Sequence, residues 1–165
     1  MIEIPAITVY QPWASLLAYL AKLYETRGWA TKYRGPIAIH AAAKPVLPWF
    51  QKEIDKETRL KIIEAVGPPT LLPLGCVIAT AELAGCHLIR RNPYDGVVHF
   101  LDDTDAAVCI NGYGAANKNE LLFGDWKPGR YAWEFKNMQL LPEPIPAKGM
   151  QGLWKWKTDK WPVVA

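Results

Sequence analysis

Serine is almost missing from this chain: Ser15 is the only one in 165 residues. It lies in the apolar stretch WASLLA, without the G-x-S-x-G turn that presents a nucleophile, so ordinary serine-hydrolase chemistry is excluded. Cysteine is scarce too. Cys76, Cys86 and Cys109 form an odd set without CxxC spacing, which excludes a disulfide scaffold and fits a reducing compartment. The three histidines, His40, His87 and His99, have no partner at metal-binding spacing, so no metal and no cofactor are expected. No GxxxxGK[ST] loop is present, and Gly112-Tyr113-Gly114 is too short to cradle phosphates. No apolar run reaches the ~18 residues of a membrane span. No basic segment leads into an apolar one at the start, so no signal peptide is read and the expected location is cytoplasmic.

Against these absences stand eight tryptophans, fourteen prolines and an uneven distribution of charge. The net charge of +3 is too small by itself to imply a nucleic-acid partner. Yet Lys22 to Lys44 holds five basic residues against one acid, Glu25, and Lys148 to Lys160 holds four lysines against one aspartate. Tryptophan is ordinarily core; beside cations it is also a stacking platform for bases.

Periodicity sketches the elements. AITVY (6–10) reads as a strand. In QPWASLLAYLAK (11–22), Trp13, Leu16, Leu17 and Leu20 make one apolar helix face, with Pro12 at the first helical position. LYETR (23–27) reads as extended and GPIAIHAAA (35–43) as a second strand. A helix is predicted over 46–65, closed by Gly67-Pro68-Pro69. GCVIATAELAGCHLI (75–89) is β-rich, NGYGAANKNE (111–120) loop-like, and GRYAWEFKNMQLL (129–141) alternates as a strand. Residues 142–165 read as a strap packed back on the body through Trp154 and Trp156. The expected fold class is α+β, with several curved strands and two helices in one domain over 1–165.

In an extended 23–27, Leu23, Glu25 and Arg27 share one face, and Lys22 stands at the corner where the helix gives way to the strand. Such a cluster either pins the corner by ion pairing or forms a polar site. As a site, Glu25 suits accepting hydrogen bonds from the exocyclic amine of a base, or activating a water. Lys22 suits stabilising an oxyanion or contacting a phosphate. Gln11 can offer an amide to a base edge, or can simply end its strand. Trp13 has core spacing. Trp29 and Tyr33 flank a polar turn and are better placed for stacking. Lys32, Arg34 and Lys44 supply phosphate contacts, or a solvated basic face.

The segments QPWASLL (11–17), AKLYETRGW (21–29) and YRGPIAIHAAAK (33–44) resemble the ASCH domain, a branch of the PUA-like superfamily. The family pattern runs Q-P-W/Y-A, then G-x-K-x-x-E-x-R, then Y-R-G before a strand ending in I-H-A. LGCVIATAELAGC (74–86), FGDWKPGRYAW (123–133) and PIPAKGMQGLWKW (144–156) continue the likeness over most of the chain. Ala21 stands where the family usually has glycine. The resemblance implies a small, mostly antiparallel PUA-like β-barrel flanked by helices. It also implies a cleft that takes RNA, another single-stranded nucleic acid or a modified nucleoside. On this likeness the ligand-binding set is Gln11, Trp13, Arg27, Trp29, Lys32, Tyr33, Arg34, His40 and Lys44. Amidohydrolases of the family that act on N-acylated cytidine use Lys-x-x-Thr and a further glutamate. Here the pair is Lys22-x-x-Glu25, so a hydroxyl nucleophile does not carry over. If the chain is an enzyme, a metal-independent amidohydrolase or RNase, Lys22 and Glu25 are its catalytic candidates, with Glu82 as the further carboxylate. A structural or protein-interaction domain is the third alternative.

Overall fold

The computed structural model describes residues 1–111 and 119–159. Gly112-Tyr113-Gly114 and the chain from Lys160 onward, both read above from sequence, lie outside the described residues. The elements are β1 (Ile2–Val9), α1 (Trp13–Ala18), β2 (Tyr24–Arg27), β3 (Gly35–Ala41), α2 (Leu47–Glu53), α3 (Lys56–Val66), β4 (Cys76–Leu88), β5 (Arg90–Arg91), β6 (Val98–Leu101), β7 (Ala107–Cys109), β8 (Tyr131–Pro146) and β9 (Leu153–Thr158). The class is α+β, dominated by mostly antiparallel strands. The chain divides into two compact units.

Unit 1 comprises residues 1–21, 36–82 and 137–165. Its sheet has the order β8-β4-β3-β1-β9. β1 runs parallel to β3, with Thr8 opposite His40, and antiparallel to β9, with Ala6 opposite Trp154. Ile4, Ala6, Ala38, Val77, Leu141, Trp154 and Trp156 close one core. The two tail tryptophans are buried in that core.

The first helix is shorter than its apolar spacing predicts. α1 stops at Ala18, and its end is a Schellman motif: Leu20 N–H donates to Leu17 O (3.0 Å) and Ala21 N–H to Leu16 O (2.9 Å). The left-handed position of that motif normally takes glycine; here it is Leu20, with φ 59°. Leu16 and Leu17 are buried, whereas Leu20 points into solvent. The single helix expected over 46–65 is two. Ile54 is extended, and Asp55 caps α3 by accepting from Thr58 N–H at 3.0 Å.

Unit 2 comprises residues 22–35 and 83–136. Here β2 pairs antiparallel with the start of β8, placing Glu25 opposite Trp133 and Arg27 opposite Tyr131. Opposed residues project to the same face, so Glu25, Arg27, Trp133 and Tyr131 share one face, and Tyr24, Thr26, Ala132 and Glu134 the other. The second face joins the apolar cluster of Ile89, Val98, Phe100, Ile110, Trp126 and Ala132. β5, β6 and β7 form a small antiparallel sheet.

Candidate functional site

The polar face of β2 is built around a buried ammonium. Lys22, 2% exposed, donates to Glu25 Oε2 at 3.1 Å and to the backbone oxygen of Phe123 at 2.7 Å. Glu25 Oε1 lies 3.4 Å from Nε of Arg27, so one carboxylate spans both cations. The i, i+2 alternation of an extended strand brings Glu25 and Arg27 together, and the corner after α1 supplies Lys22.

Periodicity did not reveal the second carboxylate here. Glu120, also buried, accepts from Leu23 N–H at 2.9 Å and Tyr24 N–H at 3.1 Å, one bond to each oxygen. Burial pushes the Glu120 carboxyl above the usual glutamate range. The Leu23 N–H, the Lys22 charge and the Tyr24 N–H oppose that rise, and the Glu25 charge adds to it. Burial, with the charges of Glu134 and Glu120, also pushes the Tyr24 phenol up to about 12. Only their long separation in the chain hid Glu120 from a sequence reading; its neighbourhood carries no helical or strand period.

Directly beyond β2 the chain turns through Gly28 to Trp29. The Trp29 ring meets that of Trp133 edge to face, with centroids 4.7 Å apart and planes at 80°. The Trp133 Nε1–H donates to Trp29 O at 3.2 Å. Trp133 is wholly buried, so a fixed ring anchors both the backbone and the indole of Trp29, which stays 37% exposed. Lys32 and Arg34 follow, both exposed, with Tyr33 half-buried between them. Arg34 Nη1 donates to Thr31 O at 3.0 Å and Tyr33 O at 2.7 Å, which steadies its guanidinium. Arg130 braces the strand end by donating to Thr26 O at 3.3 Å, and it pairs with Asp125 at 3.5 Å.

Lys22, Glu25, Arg27, Trp29, Lys32, Tyr33 and Arg34 all belong to unit 2, and ion pairing joins the first three. The other sequence candidates belong to unit 1. Gln11 is buried and satisfied internally: its amide donates to Ser15 Oγ (2.8 Å) and Pro73 O (3.0 Å) and accepts from Ser15 N–H (3.0 Å). Trp13 is half-buried, its ring 6.4 Å from that of Trp49. Lys44 lies exposed over the Tyr10 ring, 4.9 Å from its centroid. Glu82 is exposed on β4 and accepts from Asn137 Nδ2 at 3.2 Å.

His40 is buried, with Nε2 2.9 Å from Ala147 O and its ring edge-on to Trp154. Among the described residues its Nδ1 has no hydrogen-bond partner, and burial holds its pKa below the ordinary histidine range despite the Ala147 bond. No group of three or more His, Cys, Asp or Glu side chains among the described residues is placed to hold a metal ion. No helix among them is long and apolar enough to cross a membrane.

Comparison with known proteins agrees with the motif likeness. Over 80 residues, 48% of this chain, the sequence is 38% identical to activating signal cointegrator 1 of Homo sapiens. It is 35% identical to the Mus musculus protein of the same name over the same length. The matched stretch covers 14% of each relative. The model of the ASCH domain matches residues 7–141, and the chain belongs to that family.

Proposed function

We propose that this chain binds single-stranded RNA or a modified nucleoside through the β2 surface of unit 2. The observation that carries this reading is Trp29: an exposed indole, pre-set by Trp133 and followed by two exposed cations. Such an indole stacks a base of any sequence, while Arg27, Lys32 and Arg34 meet phosphates. Glu25, on the same face as Trp133, accepts from the exocyclic amine of a base. The family's association with RNA supports the assignment, and the PUA-like barrel, the cleft and a cytoplasmic location belong to the same proposal.

Fluorescence anisotropy with a labelled single-stranded RNA dodecamer tests it. Three phosphate contacts give a slope near −2 in log affinity against log salt, so raising salt from 50 to 200 mM weakens binding roughly twentyfold. Tight binding indifferent to salt, or none at 50 mM, refutes the proposal.

A second reading, a metal-independent hydrolase of N-acylated cytidine or RNA, is favoured by one observation: a buried ammonium close to two carboxylates, Glu25 and Glu120. With a glutamate in the family's threonine position, the chemistry is activation of water by a carboxylate, with Lys22 stabilising the oxyanion. Release of cytidine from its N-acetyl form in the presence of chelator, abolished by Lys22→Ala and Glu25→Gln, is the expected result. Full turnover in either variant rejects the assignment. The relatives' name, a signal cointegrator, supports the third reading of a protein-interaction domain. On that reading Glu25→Gln lowers the melting temperature and leaves RNA binding unchanged.

A further inference from the structure

The Glu120 clamp does more than close a corner. Its two oxygens hold the N–H groups of Leu23 and Tyr24, the residues that join Lys22 to Glu25. It is buried, and the charges of Lys22 and Glu25 both act on it. We propose that Glu120 is the positioning residue of the β2 site, and that proton uptake by its carboxylate strengthens the site's hold on an anionic strand. This rests on the RNA-binding reading above.

The charge count gives the direction. With Glu120 ionised, Lys22 and Arg27 are balanced by Glu25 and Glu120, and the cluster is neutral. With Glu120 protonated, the same four side chains carry one positive charge. The proton occupies a free lone-pair position of the carboxylate, so both backbone contacts persist, one of them weakened. Among the described residues, the titratable groups that act on Glu120 include Lys22, Glu25 and the Tyr24 phenol. Tyr24 stays neutral throughout the range concerned, because its pKa is pushed up to about 12. Burial moves the Glu120 titration upward from the ordinary glutamate range, toward conditions in which the protein can be studied folded.

The experiment measures affinity for a labelled single-stranded RNA dodecamer from pH 8 to pH 5, in the unmodified protein and in Glu120→Gln. The unmodified protein is expected to tighten roughly tenfold on acidification, the size of a typical coupling between sites. Glu120→Gln is expected to lose the part of that gain that Glu120 supplies and to bind more tightly than the unmodified protein at pH 8. Every other pH-dependent contribution is common to both proteins, so the difference between the two profiles isolates Glu120. A variant that follows the unmodified profile overturns the proposal.

If Glu120→Gln fails to fold, carbon-13 NMR of the Glu120 carboxyl in the unmodified protein decides instead. The midpoint is expected above the ordinary glutamate value, with the Leu23 and Tyr24 amide signals moving at the same pH. A midpoint at or below that value overturns the proposal. Absence of RNA binding at every pH refutes the binding reading, and the carboxyl titration then still reports on the clamp.

Discussion

Trp29→Ala separates a binding surface from a structural corner. Two quantities change in this variant, and the structure sets their sizes. The first is stability. Trp29 is already 37% exposed and gives up one edge-to-face contact with Trp133, worth about 0.5–1.5 kcal/mol beyond area. The hydrogen bond from Trp133 Nε1 reaches the Trp29 backbone and survives the truncation. The second is affinity. A base stacked on an aromatic ring contributes about 1–3 kcal/mol, so its loss raises Kd for single-stranded RNA about five- to 150-fold. Anisotropy at fixed salt gives the affinity, and a urea titration of the same samples gives the stability. Trp29→Phe, which keeps a stacking face, is expected between the two. The reasoning fails if Trp29→Ala binds RNA like the unmodified protein while its urea midpoint falls, because the indole is then a packing residue and no more.

Three further outcomes follow from the geometry. Lys22→Met leaves Glu25 with Arg27 alone and Phe123 O without its donor, and should cost about 3 kcal/mol in urea unfolding, as broken buried pairs do. A loss below 1 kcal/mol means the pair is effectively solvated. Leu20→Gly should raise stability by about 1 kcal/mol, because Leu20 spends left-handed strain on a largely exposed side chain; a lower melting temperature rejects this. His40 has a depressed pKa, so its contribution is fully present above the ordinary histidine value, about pH 6.5, and is lost as pH falls through the depressed one. The melting temperature should drop over that acid range in the unmodified protein and not in His40→Gln, which retains a donor for Ala147 O. Equal slopes in the two proteins refute the assignment.

Residues within a few positions of one another were legible. Strand alternation put Glu25 and Arg27 on one face, and their ion pair at 3.4 Å agrees. Asp55 followed three residues later by Thr58 carries a capping signal inside 46–65, yet apolar periodicity alone ran the helix through it. α1 was overrun for a related reason: its stop uses leucine at a position where glycine normally gives warning. What stayed hidden depends on partners distant in sequence. Glu120 is 96 positions from Tyr24, and Trp133 is 104 from Trp29. No local period encodes such contacts; they exist only because the fold brings distant segments beside β2.

Trp133 gives the site a kinetic character. If the chain binds RNA as proposed, this buried ring fixes Trp29 before any strand arrives, and an encounter need not wait for a loop to rearrange. Association is then set by diffusion and by the exposed cations, and the lifetime of the complex by the stack itself. On that proposal, changes at Lys32 or Arg34 and changes at Trp29 are expected to act on opposite ends of the same event, arrival and departure.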